Sequence, residues 1–393
     1  MADVKEIKSK LWLIFHGRYP SEKAASLFAA KSCEAFADTG YDVTLLAPRR
    51  IGRSRESAAA YYGIRENFRT VFIPVFDLFL IPFLKRLAFF MSYWTFSKWS
   101  FWYLFFRASR EDVIYSNEML PLLFASFYFK NTVYEVHDFP KNSFLNRLLF
   151  KRVGRVIATN KWKSEKLREQ FGLAPSTVLY EPNAVDLARF EASADKAQLR
   201  LALSIPLDKK IFTYVGMLRT MGMEKGIDVA LEALRSLPSE YLFLVVGGSK
   251  DDVDFYTKKA LSLGLSSERV FFVGFVKHSA VPSYMKASDI LIAPFPKNDH
   301  YNYYMSPMKL FEYMASGVPV VATDLVTIRE IVGDGERAVL VPPDDAVGLA
   351  QAVERIGENP LVGAALSQKA KEYIGEHDWL ARAERIRNFM ERR

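Results

Sequence analysis

The sequence has one cysteine, Cys33, among 393 residues. That excludes a disulfide framework and a cysteine-built metal site. It also lacks any uninterrupted apolar run of the roughly 18 residues that a membrane-spanning helix needs. The greasiest segment, residues 71–106, holds fifteen aromatic side chains, but Lys85, Arg86 and Lys98 interrupt it and Arg107 and Arg110 follow it. Low-complexity tracts and short-period repeats are absent. The first ten residues, MADVKEIKSK, are polar and mixed in charge and do not read as a signal peptide. Together with the single cysteine, this leads us to expect a cytoplasmic protein.

What is present is an alternation of strand and helix signals that runs twice. Strand patterns fall at residues 11–15, 42–48, 69–74, 112–116, 132–138, 155–160 and 177–183, with helical stretches between most of them. The pattern restarts at 211–216, 241–248, 269–274, 289–295, 318–323 and 337–343. Such alternation predicts mostly parallel, doubly wound sheets. The length exceeds what one core usually supports, so two domains are expected. Charge becomes dense near residues 190–210, which puts the boundary near Glu191. The expected division is an amino-terminal domain over 1–190, a second domain over 191–375, and a basic amphipathic helix over 376–393 packing back across the molecule.

The formal net charge of +8 suits nucleic acid, anionic lipid or a phosphorylated ligand. Nucleic acid is disfavoured, because the aromatics cluster in one apolar insert and are not spread along a basic groove as stacking platforms. Aromatics interleaved with cations suit a helix lying on an anionic membrane surface. Packing of the same insert on its own domain, or against a second copy, is the other reading.

Open α/β sheets bind ligands beyond the carboxyl ends of their strands, so the residues there are the candidates. Gly216 follows the first strand of the second half, and Arg219 and Lys225 come next, before a helix beginning near Gly226. Cations beside a helix amino terminus suit a diphosphate. Gly247 and Gly248 allow close backbone approach. The backbone of Val276 can meet a nucleobase, with Lys277 or His278 at the rim. In "SPMKLFEYMASGVPVVATD", Ser306 is placed to cap a helix and Pro307 to occupy its first turn. Glu312 can accept two hydrogen bonds from the vicinal hydroxyls of a ribose. Lys309 either neutralises phosphate or pairs with Glu312. In the first half, Gly17 permits a tight turn with Arg18 and Lys23 nearby, and His137 and Asp138 end a buried strand. His137 is either a contact to a sugar hydroxyl or leaving group, or a structural histidine.

"YVGMLRTMGMEKGID", "VFFVGFVKHSAVPSYMKASDILIAPFP" and "SPMKLFEYMASGVPVVATD", with "EPNAVD" and "YPSEKAASLFAAKSCEAFADTGYDVTLL", resemble the retaining glycosyltransferases of family 4, over nearly the whole chain. The resemblance implies a GT-B fold, two Rossmann-like domains facing across a cleft. It implies that Glu312 binds the nucleotide ribose and Lys225 neutralises the donor diphosphate. His137 matches a histidine at the active-site end of the first domain, and Ser306 and Pro307 match a phosphate-cradling turn. It further implies retention of anomeric configuration without a bound metal. Two positions depart from the family. Tyr304 stands where the first of two glutamates eight apart is usual, and Met217 stands where arginine is common.

The resulting catalytic set is His137, Lys225 and Arg219. The nucleotide-sugar set is Gly17, Gly216, Gly247, Val276, Ser306, Pro307, Lys309 and Glu312. The expected partners are a UDP- or GDP-linked sugar, a saccharide acceptor of the polyprenyl-diphosphate-linked kind, and an anionic membrane surface. The alternatives are a non-catalytic partner of another transferase and an enzyme with a soluble acceptor.

Overall fold

The computed structural model describes residues 9–52, 56–77, 85–191, 195–220 and 222–392. Residues 78–84 of the aromatic segment lie outside these, as does the side chain of Lys85. Packing divides the chain into two units, Met1–Pro182 with Trp379–Arg393, and Asn183–Asp378.

The first unit is built on β1 (Lys10–Ile14), β2 (Asp42–Arg49), β3 (Arg69–Pro74), β4 (Val113–Ser116), β5 (Thr132–Val136), β6 (Arg155–Ala158) and β7 (Val178–Tyr180). They form one parallel sheet in the order β3-β2-β1-β4-β5-β6-β7. The second unit carries β8 (Lys210–Val215), a small antiparallel pair β9 (Arg219–Thr220) and β10 (Met223–Glu224), then β11 (Tyr241–Val246), β12 (Val270–Gly274), β13 (Ile290–Ala293), β14 (Val320–Thr323) and β15 (Val339–Val341). Its parallel sheet has the order β12-β11-β8-β13-β14-β15. Each strand read from the sequence is present. Most are shorter at the carboxyl end, because residues such as His137 lie beyond the last ladder pair of β5, Val136↔Ala158. The β9–β10 pair was not read, since two residues per strand leave no periodicity to detect.

Strands covered on both faces should be continuously apolar, and β11 (YLFLVV) is buried along its whole length. In β5 the exception is Glu135, which is fully buried. Its partner comes from the helix Trp379–Glu391, which belongs to the first unit. Arg382 Nη2 donates to Glu135 Oε1 at 2.6 Å and Nε to the Pro182 carbonyl at 2.7 Å, while the Tyr115 hydroxyl donates to the same carboxylate. A buried charge is tolerable only when answered in this way.

The aromatic segment forms the helix Lys85–Arg107 with its polarity inverted. Ala88, Ser92, Phe96, Ser100 and Leu104, spaced four apart, are buried. Phe90, Trp94, Trp99, Trp102 and Phe106 are exposed, Phe106 by 74%. Small residues let this helix sit close on its sheet, and the large rings are left facing out among exposed Arg86, Lys98 and Arg107.

Candidate active site

In the second sheet β8 and β13 are neighbours, but the chain proceeds from them toward opposite edges. Ligands bind doubly wound sheets at such a switch point. Gly216 lies just beyond β8, and Pro294 and Phe295 just beyond β13. The helix Met308–Ser316 is tied to this place by Tyr313. The Tyr313 hydroxyl accepts from Val215 N at 2.8 Å and donates to Val215 O at 3.2 Å.

That anchoring sends Lys309 and Glu312, on one face at i and i+3, to different neighbours. Among the described residues, the buried Lys309 ammonium has no hydrogen-bond partner. It lies 3.8 Å from the centre of the Tyr214 ring and 5.3 Å from that of Phe295. Burial, then the charge of Lys225, pushes its pKa well below the usual lysine range. Lys225 itself is half-buried, 4.7 Å from the centre of the Tyr301 ring, and burial lowers it to about 8. Gly216 has φ +137°, and a Cβ there would come within 3.0 Å of the Lys309 ammonium. The glycine is therefore what leaves room for the lysine. Among the described residues neither lysine has a carboxylate within ion-pair distance, and an anion such as a diphosphate would restore the charged forms that burial disfavours.

Lys309 and Glu312 are not paired with each other, so the purely structural reading of these two charges is corrected. Glu312 Oε1 is instead 3.1 Å from His278 Nε2 and 3.6 Å from Arg189 Nη1. Arg189 also donates to the His278 carbonyl, and its Nη1 is 3.1 Å from His278 Nε2. Arg189 and His278 thereby hold the carboxylate in one place. Arg189 was missed in the sequence. It lies in "VDLARF", far from the helix it serves, and no local pattern links the two.

Several other expectations change in detail. Ser306 does not cap the helix. Pro307 is the N-cap residue, and no side chain caps it. A residue before proline is pushed to extended backbone, so the helix starts later, and Ser306 Oγ accepts from Asn183 N at 3.4 Å instead. Pro307 accordingly stands before the first turn. Gly17 is not in the left-handed region. Its need is steric, since a Cβ would fall 2.2 Å from the Phe15 ring. A Cβ on Gly247, at φ +110°, would fall 2.4 Å from the Gly216 carbonyl. That glycine packs the two strand ends together. Val276 packs its side chain against the core. Arg219 donates from Nε to Asp252 Oδ1 at 2.6 Å and stacks on Phe255 at 4.7 Å. Its charge is answered there, unlike that of Lys225 and Lys309. Tyr304 ends a wide helical turn, His300–Tyr304, and is half-buried.

In the first unit, His137 packs edge-on against Phe28 and turns Nε2 toward Glu135 Oε1 at 3.3 Å, without hydrogen-bond geometry. Among the described residues, no three His, Cys, Asp or Glu side chains come together as a metal-holding group.

Comparison with known proteins bears on the family and the fold. The family profile described as Glycosyltransferase Family 4 matches residues 26–189, and the profile described as Glycosyl transferases group 1 matches residues 209–359. A phosphatidyl-myo-inositol mannosyltransferase of Mycolicibacterium smegmatis is 29% identical over 235 residues, covering 58% of this chain and 54% of that protein. The chain thus spans about half the length of this curated relative. Among solved structures, sucrose-phosphate synthase from Thermosynechococcus elongatus superposes with a TM-score of 0.78 at 22% identity, covering 97% of this chain and 98% of the other. Anabaena HepE in complex with UDP-glucose superposes with a TM-score of 0.70 at 18% identity, with coverage of 97% and 98%. The structural likenesses establish the two-domain fold, and the two profiles between them take in most of both units. The chain belongs to the GT-B glycosyltransferases related to family 4 and group 1.

Proposed function

We propose that the protein moves a hexose from a nucleotide-diphosphate sugar, UDP- or GDP-linked, to a hydroxyl of a lipid-linked saccharide, with retention and without a metal. The observation that carries this reading is the Lys309 ammonium, buried without a partner beside Lys225. A diphosphate supplies the anions that this pair lacks. Glu312, held by Arg189 and His278, accepts the ribose hydroxyls. As the donor's glycosidic bond breaks, negative charge grows on the departing phosphate, and a fixed lysine pair stabilises it more than it stabilises the intact donor. The two ammonium groups thereby neutralise the phosphates as a divalent cation otherwise would. His137 contacts a sugar hydroxyl in this reading. HepE, whose solved complex holds UDP-glucose, lends support to the nucleotide sugar.

The lipid part rests on the outward rings of the helix Lys85–Arg107. An exposed aromatic face bordered by cations matches the headgroup region of an anionic bilayer, and no described helix is long and apolar enough to cross a membrane. The mycobacterial relative is named for a lipid substrate, phosphatidyl-myo-inositol. The setting we infer is cell-envelope glycan synthesis at the cytoplasmic face of the membrane, with a polyprenyl-diphosphate-linked glycan as one acceptor of this type.

A screen of UDP- and GDP-hexoses against membrane-lipid extracts and soluble saccharides, with and without EDTA, tests each part. We expect label in the organic-extractable fraction, unaffected by EDTA. Turnover of no donor would overturn the reading. Label only in soluble saccharide would remove the lipid part, and EDTA inhibition reversed by a cation would remove the metal independence.

A further inference from the structure

β12 ends at Gly274, and the chain then runs through Phe275, Val276 and Lys277 into a tight turn that begins at His278. Two segments distant in sequence converge on the His278 ring. The turn Leu187–Phe190 brings Arg189, and the helix Met308–Ser316 brings Glu312. His278 Nε2 lies 3.1 Å from Arg189 Nη1 and 3.1 Å from Glu312 Oε1, and all three side chains are partly buried.

Only one of these two contacts is a hydrogen bond at any moment. A ring nitrogen carries either a proton or a lone pair, a guanidinium only donates, and a carboxylate only accepts. With a proton on Nε2, the ring bonds Glu312 and turns its N–H against those of Arg189. With Nε2 bare, the ring accepts from Arg189 and turns a lone pair against Glu312. Arg189 is not free to swing away, because it also donates to the His278 carbonyl and its Nη1 stands 3.6 Å from Glu312 Oε1. The proton on His278 therefore decides which neighbour the ring serves.

A ribose on Glu312 favours one of the two states. When Nε2–H bonds Oε1, one acceptor direction of the carboxylate is taken and part of its charge is answered, so a ribose hydroxyl is accepted less strongly. When Nε2 is bare, Oε1 faces a lone pair, and a ribose hydroxyl supplies the proton that is missing there. A neutral imidazole can place its proton on Nδ1 and leave Nε2 to Arg189, whereas an imidazolium carries a proton on both nitrogens. Protonation of the ring thus sets it in competition with the ribose for the same oxygen.

We propose that His278 is a positioning residue that ties ribose recognition to its own proton: the neutral ring leaves Glu312 to the ribose hydroxyls, and the imidazolium takes the carboxylate for itself. This rests on the assignment of Glu312 to the ribose above. Among the described residues, Arg189 and Glu312 face the ring, Lys277 adjoins it in the chain, and Asp186 acts on Arg189 from behind. Of these residue types only histidine ordinarily changes charge between pH 5 and 8. Selection of a ribonucleotide over a 2′-deoxyribonucleotide of the same base therefore sharpens as pH rises, and by reciprocity the ribose expels a proton. Lys225, which burial lowers to about 8, and the terminal phosphate of the nucleotide shift overall affinity over the same range. Both act alike on the two nucleotides and cancel in the ratio of their dissociation constants.

The test titrates UDP and 2′-deoxy-UDP, and GDP and 2′-deoxy-GDP, into wild type at pH 5.5 and pH 8. For the base that binds, the preference for the ribonucleotide should rise about fivefold from the lower pH to the higher. His278→Gln offers Glu312 a donor and Arg189 an acceptor from separate atoms and does not titrate, so its preference should be the same at both pH values. Calorimetry of wild type at pH 6, in buffers of different ionisation heat, should show more protons released by the ribonucleotide than by its deoxy counterpart. That measurement needs no variant to fold. A wild-type preference above one but equal at the two pH values, equal proton release by the two nucleotides, or a rise that persists in His278→Gln would overturn the role of His278. No preference at either pH would instead remove Glu312 from the ribose, and failure of all four nucleotides to bind would remove the nucleotide-sugar reading beneath it.

Discussion

Replacing Lys309 with methionine should make the free protein more stable and the nucleotide complex weaker. Methionine fills a similar volume and needs no hydrogen bond, whereas the lysine ammonium has none. A buried polar group left without a hydrogen bond costs about 1–3 kcal/mol, and the position of the ammonium over the Tyr214 ring returns part of this. The net gain for Lys309→Met is on the order of 1 kcal/mol near neutral pH. For a unit of this size that is roughly 2–4 °C in melting temperature. The sign with pH follows. A lysine whose folded pKa is depressed holds fewer protons folded than unfolded, so wild-type stability rises with pH toward the unfolded value of 10.5. The advantage of the methionine variant should shrink over the same range. Thermal melts from pH 7 to pH 10, with UDP titrations at pH 7, measure both effects. UDP affinity should fall about 10- to 100-fold, as expected for a lost charge-assisted contact. A variant that melts lower than wild type and binds UDP equally well would refute the reasoning, because Lys309 would then be a satisfied structural residue.

Arg189→Ala should free the Glu312 carboxylate, weaken UDP by about 1 kcal/mol, and erode discrimination against 2′-deoxy-UDP. Discrimination equal to wild type would remove Arg189 from the site. Arg382→Leu should cost about 3–5 kcal/mol by leaving Glu135 buried and unanswered. Burial alone would raise Glu135, but Arg382 and the His137 contact hold it near 2, so the stability from the pair is present above about pH 4.5 and fades as pH falls toward 2. A deficit independent of pH in denaturant titrations would contradict this. Wild type should co-sediment with anionic vesicles at low salt and less so at high salt. Serine at Trp94, Trp99 and Trp102 should reduce vesicle binding without affecting UDP, and unchanged binding by that triple variant would show that this helix is not the anchor.

The sheets were legible because their strands are short apolar runs bounded by turns, and the helix bearing Lys309 and Glu312 because both charges interrupt an apolar face. Where those charges point was not legible. Whether Lys309 meets Glu312 or Tyr214 depends on the anchoring of Tyr313 to Val215, a contact between distant segments. Arg189 escaped for the same reason, since its role comes from contacts to His278 and Glu312, both distant in sequence. The cap assigned to Ser306 failed locally, because proline after it displaced the helix start. The aromatic helix was ambiguous because both its faces read as apolar. Only the structure shows that serines take the inside and tryptophans the outside.

The central claim is that the second unit holds a nucleotide diphosphate with Lys225 and Lys309 on its phosphates and Glu312 on its ribose. Calorimetric titration of UDP and GDP into wild type and Glu312→Ala tests it most directly. The account predicts that wild type binds at least one of the two nucleotides and that the variant loses about 2–4 kcal/mol of that binding while keeping its fold. Binding of neither nucleotide by wild type, or equal affinity in a folded variant, would contradict it.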